Sequence, residues 1–315
     1  MSPELPPLVV ITGPTGTGKT EVAVRLASRL PLEVVSADSR QVYRGMDIGT
    51  AKPSPVERAA VPHHLIDVVD PDERYHAARF LAEARQVVPG ILARGRLPLV
   101  VGGTGLYVRA LLRGLLPVPP ADPDVRRELA LLARREGLPA LWRRLRAVDP
   151  EAAERIHERD RVRIIRALEI HRLTGAPLGA PSHWRESRPP WRLLLVGLTR
   201  PRASLYALLD RRVDAMVARG LRAETEALLD AGFEPDLPAL HGIGYRHFVG
   251  VIQGKSSEAA AVREMKRDTR QYAKRQWTWL AREPAIRWVD PEAAGGLDGT
   301  AEQLEKWIIQ EGLRP

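Results

Sequence analysis

The residues best equipped for chemistry lie near the start of the chain. Gly13-Pro14-Thr15-Gly16-Thr17-Gly18-Lys19-Thr20 matches the pattern GxxxxGK[ST] in full. The preceding Leu8-Val9-Val10-Ile11 reads as a buried strand, and the following Val22, Leu26 and Leu30 keep helical spacing. In that context the glycines let backbone N–H groups converge on phosphate oxygens, and the helix N-terminus adds its partial positive charge. Lys19 would neutralise a terminal phosphate, and the Thr20 hydroxyl can ligate Mg²⁺. The motif specifies a polyphosphate without saying which one.

A second group of residues bears on what happens to that polyphosphate. P-loop ATPases and GTPases usually carry a later strand ending in an Asp that helps hold Mg²⁺. Here the later strand ends Val100-Val101-Gly102-Gly103-Thr104-Gly105, with no acid. The acid just past an early strand is Asp38, in Ser36-Ala37-Asp38-Ser39. In a doubly wound sheet this is the carboxyl edge, where ligands bind. Asp38 is therefore a Mg²⁺ partner, a base that accepts a substrate proton, or a plain helix cap.

These residues need a frame. Strand candidates at Leu8–Ile11, Val34–Val35, Leu97–Val101 and Leu193–Val196 are separated by helical segments, which predicts an α/β fold with a P-loop NTPase-like parallel sheet core. Pro117-Val118-Pro119-Pro120-Ala121-Asp122-Pro123 marks a boundary, and residues 124–174 are rich in Leu, Ala, Arg and Glu at helical spacing. A proline-rich stretch from Pro177 to Pro190 closes this region. The expected division is a catalytic core of residues 1–116 plus 193–315, helical after 200, and a mainly helical insertion domain over 117–192.

Composition narrows the function. The 315 residues carry 48 Lys+Arg against 39 Asp+Glu, a formal net charge of +9. Lysine occurs only at 19, 52, 255, 266, 274 and 306, and there is no asparagine, as expected of G+C-rich coding or a hot habitat. An excess over acids suggests a polyanionic partner. With no cysteine, a disulfide scaffold, a thiolate metal site and a cysteine nucleophile are excluded. His63-His64, near Asp67 and Asp70, is a grouping that could suggest a metal cluster, and no histidine spacing elsewhere supports zinc. No apolar run approaches a membrane span and Met1-Ser2-Pro3-Glu4 lacks a basic signal start, so a cytoplasmic protein without membrane contact is expected. Nothing calls for more than a monomer or for an obligate protein partner.

With the P-loop, the run from Asp38-Ser39-Arg40-Gln41 to Lys52-Pro53 resembles the tRNA dimethylallyltransferase (isopentenyltransferase) family. So do Gly102–Tyr107, Arg166–Glu169, Gly242–Tyr245 and Ala273–Trp279, in the family's order and over nearly the whole chain. The resemblance implies transfer of a dimethylallyl group from dimethylallyl diphosphate to N6 of the adenosine 3′ to the anticodon, with Mg²⁺. Without cysteine the chain cannot carry the zinc finger of eukaryotic relatives and is similar to the compact bacterial form.

Carried over residue by residue, the resemblance makes Asp38, Thr104 and Arg212 catalytic and Gly13 to Thr20 the diphosphate cradle, with Thr20 on the metal. Arg211 is the nearest rival of Arg212, and Leu208 stands where the family often has another arginine. The implied contacts to the tRNA anticodon stem-loop are Asp38, Ser39, Arg40, Gln41, Thr104 and Arg126, then Val162, Arg163, Ile164, Ile165 and Arg166. Two further blocks follow: His241, Gly242, Ile243, Gly244, Tyr245 and Arg246, and Lys274, Arg275, Gln276, Trp277, Thr278, Trp279, Leu280 and Ala281. Independently of the family, Arg263, Arg267, Arg270 and Lys274 share one side of a predicted helix over 262–280, a basic stripe suited to a nucleic-acid backbone. The competing readings are a small-molecule or nucleotide kinase, an enzyme prenylating free adenine nucleotides, and a non-catalytic RNA-binding protein that senses a nucleotide.

Overall fold

The computed structural model describes residues 5–178 and 190–313, so most of the closing proline-rich stretch and the first four residues lie outside the described residues. Two compact units emerge, one formed by Met1–Leu112 with Pro189–Pro315, the other by Arg113–Arg188.

The first unit is built on a six-stranded, fully parallel sheet: β1 (Pro7–Thr12), β2 (Leu32–Ser36), β3 (His63–His64), β4 (Leu97–Val101), β5 (Arg192–Leu198) and β6 (Arg287–Val289). The spatial order is β3-β2-β4-β1-β5-β6. Helices cover both faces, so a strand such as β1 has no solvent side and reads as an unbroken apolar run. The chain steps outward from β1 to β2 and β3, returns to β4, and then leaves on the other side of β1 to β5. The direction therefore reverses at β1, and in such a sheet the crevice beyond the strand ends at the reversal receives ligands.

Around the sheet lie α1 (Lys19–Ala27), α2 (Pro55–Ala60), α3 (Ala77–Ala93) and α4 (Gly105–Arg113). Val9, Ile11, Leu26, Leu99, Val196 and Leu304 share one buried cluster, which joins α1 to the sheet and to the C-terminal helix Gly296–Gln310. The second unit contains α5 (Pro123–Glu136), α6 (Leu138–Val148), α7 (Pro150–Arg155) and α8 (Arg161–Thr174) around Leu129, Leu141, Leu145, Ile164 and Leu168. Its helices begin where local chemistry directs. Asp122, Asp149 and Asp160 each accept a backbone N–H of the following first turn, and Pro123 and Pro150 start their helices with φ already set.

After β5 come α9 (Arg202–Ala218), α10 (Leu221–Asp230), α11 (Tyr245–Ile252) and α12 (Glu258–Leu280); we label Gly296–Gln310 α13. These helices wrap the segment that follows β2. Val42, Tyr43 and Met46 from that segment pack with Val213, Leu221, Phe248 and Met265 in a second core. Among the described residues no helix is long and apolar enough to cross a membrane.

Two strands escape the sequence reading. β3 is two residues long, and its His64 Nε2 sits 2.6 Å from Glu33 Oε2, while Arg94 donates to both oxygens of the same carboxylate. These hydrogen bonds from Arg94, with those from His64, hold the buried Glu33 carboxyl down at about 2, against the opposing cost of burial. β6 pairs Arg287 with Val196 and Val289 with Leu198 at the opposite sheet edge.

Candidate active site

Three loops leave the carboxyl ends of β1, β4 and β2 side by side, and the candidate site is built from them. The loop after β1 turns at Gly13, whose φ of 141° and close approach to β5 both demand glycine; a Cβ there would lie 2.3 Å from the Leu198 carbonyl oxygen. Inside the loop the buried Thr17 hydroxyl donates to the Pro14 carbonyl at 2.9 Å, which stiffens the turn before α1 starts at Lys19. The Lys19 ammonium folds back over the loop and donates to the Gly13 and Pro14 carbonyls at 3.0 and 2.8 Å. Desolvation pulls its pKa down to about 8; Asp38 opposes the shift and Arg212 adds to it.

The loop after β4 is strapped to this cradle. Thr12 Oγ1 donates to the Gly102 carbonyl at 2.9 Å, and Gly102 N–H donates to Ile11 O. Gly102 also lies against the loop after β2, where an added Cβ would meet the Ala37 carbonyl oxygen at 2.2 Å. The atoms this Cβ would meet are backbone and cannot swing away, so Gly102→Ala should lower the thermal midpoint well beyond a surface substitution and separate these loops; a Tm equal to wild type would contradict that packing.

Thr104 closes the third side. Its N–H donates to Ala37 O at 3.3 Å, and its Oγ1 accepts the Ser39 N–H at 3.0 Å. Asp38 stands between these two contacts. Its Oδ1 accepts the N–H groups of Arg40 and Gln41 at 2.8 and 3.3 Å, forming a tight turn. Oδ2 has no hydrogen-bond partner among the described residues, and the side chain is only partly covered. Asp38 caps no helix here; the first helix after it is α2 at Pro55. The nearby Tyr272 phenol is pushed up to about 12 by burial and then by the Asp38 carboxylate, so it keeps its proton at neutral pH.

Arg212 enters from α9. Its Nη1 donates to Thr15 Oγ1 at 3.4 Å, and desolvation lowers its pKa while Glu21 and Asp38 pull the other way. Arg211, one position along, points to solvent. Ion pairs from α12 hold α9 in register on both sides of Arg212: Arg270 with Asp210 at 2.6 Å and Lys266 with Asp214 at 2.7 Å. Lys19 and Arg212 thus lie within electrostatic reach of each other and of Asp38, and Thr104 joins the Asp38 loop to the loop after β4.

The segment after Asp38 is pinned by contacts that spacing did not reveal, chief among them those of Glu224, which the sequence reading passed over. Glu224 of α10 accepts the backbone N–H groups of Asp47, Ile48 and Gly49 at 2.9, 2.8 and 3.1 Å, and the Tyr245 hydroxyl at 2.6 Å. The buried Lys52 ammonium donates to Tyr43 O and pairs with Asp47 and Asp67. Arg40 donates to the Pro238 carbonyl at 2.8 Å, which brings Ser39–Gln41 beside the block starting at His241.

The sequence-predicted RNA residues differ in exposure. His241, Arg246, Lys274, Arg275, Trp277, Thr278 and Ala281 are exposed, as are Val162 and Arg163 on the second unit. Gly242, Gly244, Tyr245, Gln276, Leu280, Ile164 and Ile165 are buried, and Ile243 and Trp279 are half-covered. Trp279 packs against Gly105 and lies beneath the Arg109 guanidinium, 4.7 Å from the ring centre. On the second unit, Arg126 and Arg166 converge on the buried Glu169 carboxylate at 2.9 and 2.7 Å. The basic stripe is interrupted, because Arg270 is turned into its pair with Asp210 and Arg267 shares Asp268 with Arg246 and His247.

Comparison with known proteins places the chain in a family. The chain matches IPP transferase over residues 41–283 and isopentenyl transferase over residues 6–64. It is 50% identical over 295 residues to the tRNA dimethylallyltransferase of Syntrophobacter fumaroxidans, covering 92% of this chain and 85% of that protein. The tRNA dimethylallyltransferase of Thermomicrobium roseum is 48% identical over 306 residues, 97% of this chain and 92% of its own length. Among solved structures, the full-length tRNA isopentenylpyrophosphate transferase of Bacillus halodurans superposes with a TM-score of 0.71 at 40% identity, covering 97% and 96% of the two chains. A eukaryotic dimethylallyltransferase acting on tRNA gives 0.76 at 29% identity, over 96% of this chain and 76% of that one. With two matched family segments and near-complete alignment to these relatives, the chain belongs to the IPP transferase family.

Proposed function

We propose that this protein transfers a dimethylallyl group from dimethylallyl diphosphate to N6 of the adenosine 3′ to a tRNA anticodon and releases diphosphate. The observation that carries the reading is the placement of Asp38 and Thr104 opposite the Lys19–Arg212 phosphate cradle, on loops bonded to each other. Such a site joins a strongly cationic leaving-group pocket to a carboxylate with a free oxygen. N6 attacks the allylic carbon, the carbon–oxygen bond to diphosphate breaks with its electron pair going to oxygen, and the N6 proton passes to Asp38. The loop amides, Lys19 and Arg212 stabilise the departing charge, and Thr104 Oγ1 lies beside the reacting groups. Adenine must leave its stack to reach a strand edge, which a single-stranded loop permits more readily than a duplex.

The donor set suits Mg²⁺ carried in on the diphosphate. Thr20 offers one hydroxyl in the first turn of α1, Asp38 one carboxylate, and no cluster of three acidic or histidine ligands exists among the described residues. When bound, the ion would neutralise diphosphate charge; Thr20 would hold it.

Incubation with labelled dimethylallyl diphosphate, Mg²⁺ and either unmodified tRNA or AMP tests the reading. Label should enter tRNA. Label in AMP alone would favour a nucleotide prenyltransferase, and ATP-dependent phosphorylation without prenyl transfer would favour a kinase.

A pH dependence follows from Lys19. Desolvation holds its pKa at about 8 in the ligand-free protein, and a bound diphosphate raises it by adding negative charge beside Nζ. Binding should therefore take up a proton at and above pH 8, and affinity should decline as pH rises through that value. Calorimetry in two buffers of different ionisation enthalpy reads the uptake; heats independent of buffer would contradict the assignment, and Lys19→Met should abolish the difference.

A further inference from the structure

Gln276 touches both halves of the site from a helix that, among the described residues, makes no other hydrogen bond to it. The side chain is buried in α12, with Oε1 accepting the Thr15 N–H at 2.9 Å and Nε2 donating to the Gly103 carbonyl at 3.0 Å. The partners fix its orientation, since a reversed carboxamide would set donor against donor and acceptor against acceptor. Beyond Thr15 lies the Arg212 guanidinium, and beyond Gly103 lies Thr104, bonded in turn to Ala37 and Ser39 on either side of Asp38. One carboxamide therefore spans the gap between the phosphate side and the acceptor side. Space is reserved for it: a Cβ at Gly103 would stand 2.3 Å from Nε2. The φ of Gly103 is not in the left-handed region, so room for the amide and for the Gly13 carbonyl, 3.1 Å from such a Cβ, rather than backbone conformation accounts for glycine there.

We propose that Gln276 is a positioning residue for prenyl transfer, setting the separation between the diphosphate cradle and the Thr104–Asp38 acceptor site without itself contacting tRNA. The inference rests on the prenyl-transfer reading above. Displacement at carbon requires the nucleophile and leaving group on opposite sides of one atom, and a misplacement of about 1 Å costs on the order of 100-fold in rate.

The test compares Gln276→Met, Gln276→Glu and Gly103→Ala by single-turnover transfer of label to tRNA at saturating tRNA, with the tRNA Kd measured separately. Gln276→Met loses both hydrogen bonds and should slow transfer about 100-fold with the tRNA Kd unchanged. Gln276→Glu keeps an acceptor for Thr15 but sets an oxygen against the Gly103 carbonyl, so its rate should also fall well below wild type. Gly103→Ala displaces the amide and should reproduce the loss, with the Gly103→Ala, Gln276→Met double variant no slower than either alone. Should the Met variant fail to fold, the near-isosteric Glu variant decides. A wild-type single-turnover rate in the folded variants, or a weakened tRNA Kd with an unchanged rate, overturns the positioning role. Absence of label from tRNA with the wild-type protein instead overturns the prenyl-transfer reading.

Discussion

Asp38→Asn should slow allyl transfer by about 10²–10⁴-fold without weakening diphosphate binding. Asn is the informative substitution because Asp38 does two jobs. Its Oδ1 accepts the Arg40 and Gln41 amides, and a carboxamide oxygen can do the same. Only Oδ2, which has no partner among the described residues, would change from a proton acceptor to an amide donor. The fold and the turn are thereby preserved while the base is lost. Asp38→Ala removes both functions, so it should be at least as slow and should also weaken tRNA binding through the released Ser39–Gln41 turn. Single-turnover transfer, with inorganic diphosphate binding followed in parallel, separates these outcomes. An Asn variant reacting at the wild-type rate would remove Asp38 from the chemistry.

Lys19→Met should lower kcat/KM for dimethylallyl diphosphate by about 10²–10³-fold, the loss typical of removing one preorganised donor from developing negative charge. Its tRNA Kd should not move, because the ammonium is committed to the phosphate loop at Gly13 and Pro14. Stability provides an independent check. Desolvation lowers the folded-state pKa of Lys19 below its unfolded value of 10.5, so the charged form opposes folding. That penalty is fully present below pH 8 and is relieved as pH rises toward the unfolded value. Replacing the ammonium by a thioether of similar length should therefore hold or raise the Tm at neutral pH even as activity collapses. A fall in both would mark Lys19 as structural support for the loop. Lys19→Arg should not rescue, since a planar guanidinium does not reproduce a compact ammonium at two converging carbonyls.

The chemistry that depends on consecutive residues was legible in the sequence. Gly13 to Thr20 carries its own strand before it and helix after it, and the motif defines the phosphate site without tertiary information. The absence of an acid after Val101 is equally readable, and it leaves Asp38 as the acid at the carboxyl edge of an early strand. Long, apolar strands were visible too. His63–His64 and Arg287–Val289 were not, because two- and three-residue edge strands with polar or cationic side chains have no periodicity to detect. Sheet order was beyond reach for another reason: the insertion of β4 between β1 and β2 depends on crossovers across the whole core.

Side-chain commitment was the main thing hidden. Helical spacing correctly set Arg263, Arg267, Arg270 and Lys274 on one side, but spacing does not reveal that Asp210, sixty residues earlier, claims Arg270. Glu169 likewise gathers Arg126 and Arg166 within the second unit. Gln276 sits in a block that resembles RNA-contacting sequence, yet its carboxamide bonds to Thr15, 261 residues away. No local signal can report such a contact.

The most direct test of the account uses two anticodon stem-loops that differ only in the residue 3′ to the anticodon, one with adenosine and one with purine riboside, which lacks the N6 amine. Each is incubated with the wild-type protein, labelled dimethylallyl diphosphate and Mg²⁺, and the product is digested to nucleosides. Label should appear on the adenosine of the first and be absent from the second. Equal labelling of both, or label on any other nucleoside, would contradict N6 transfer at the Asp38–Thr104 site.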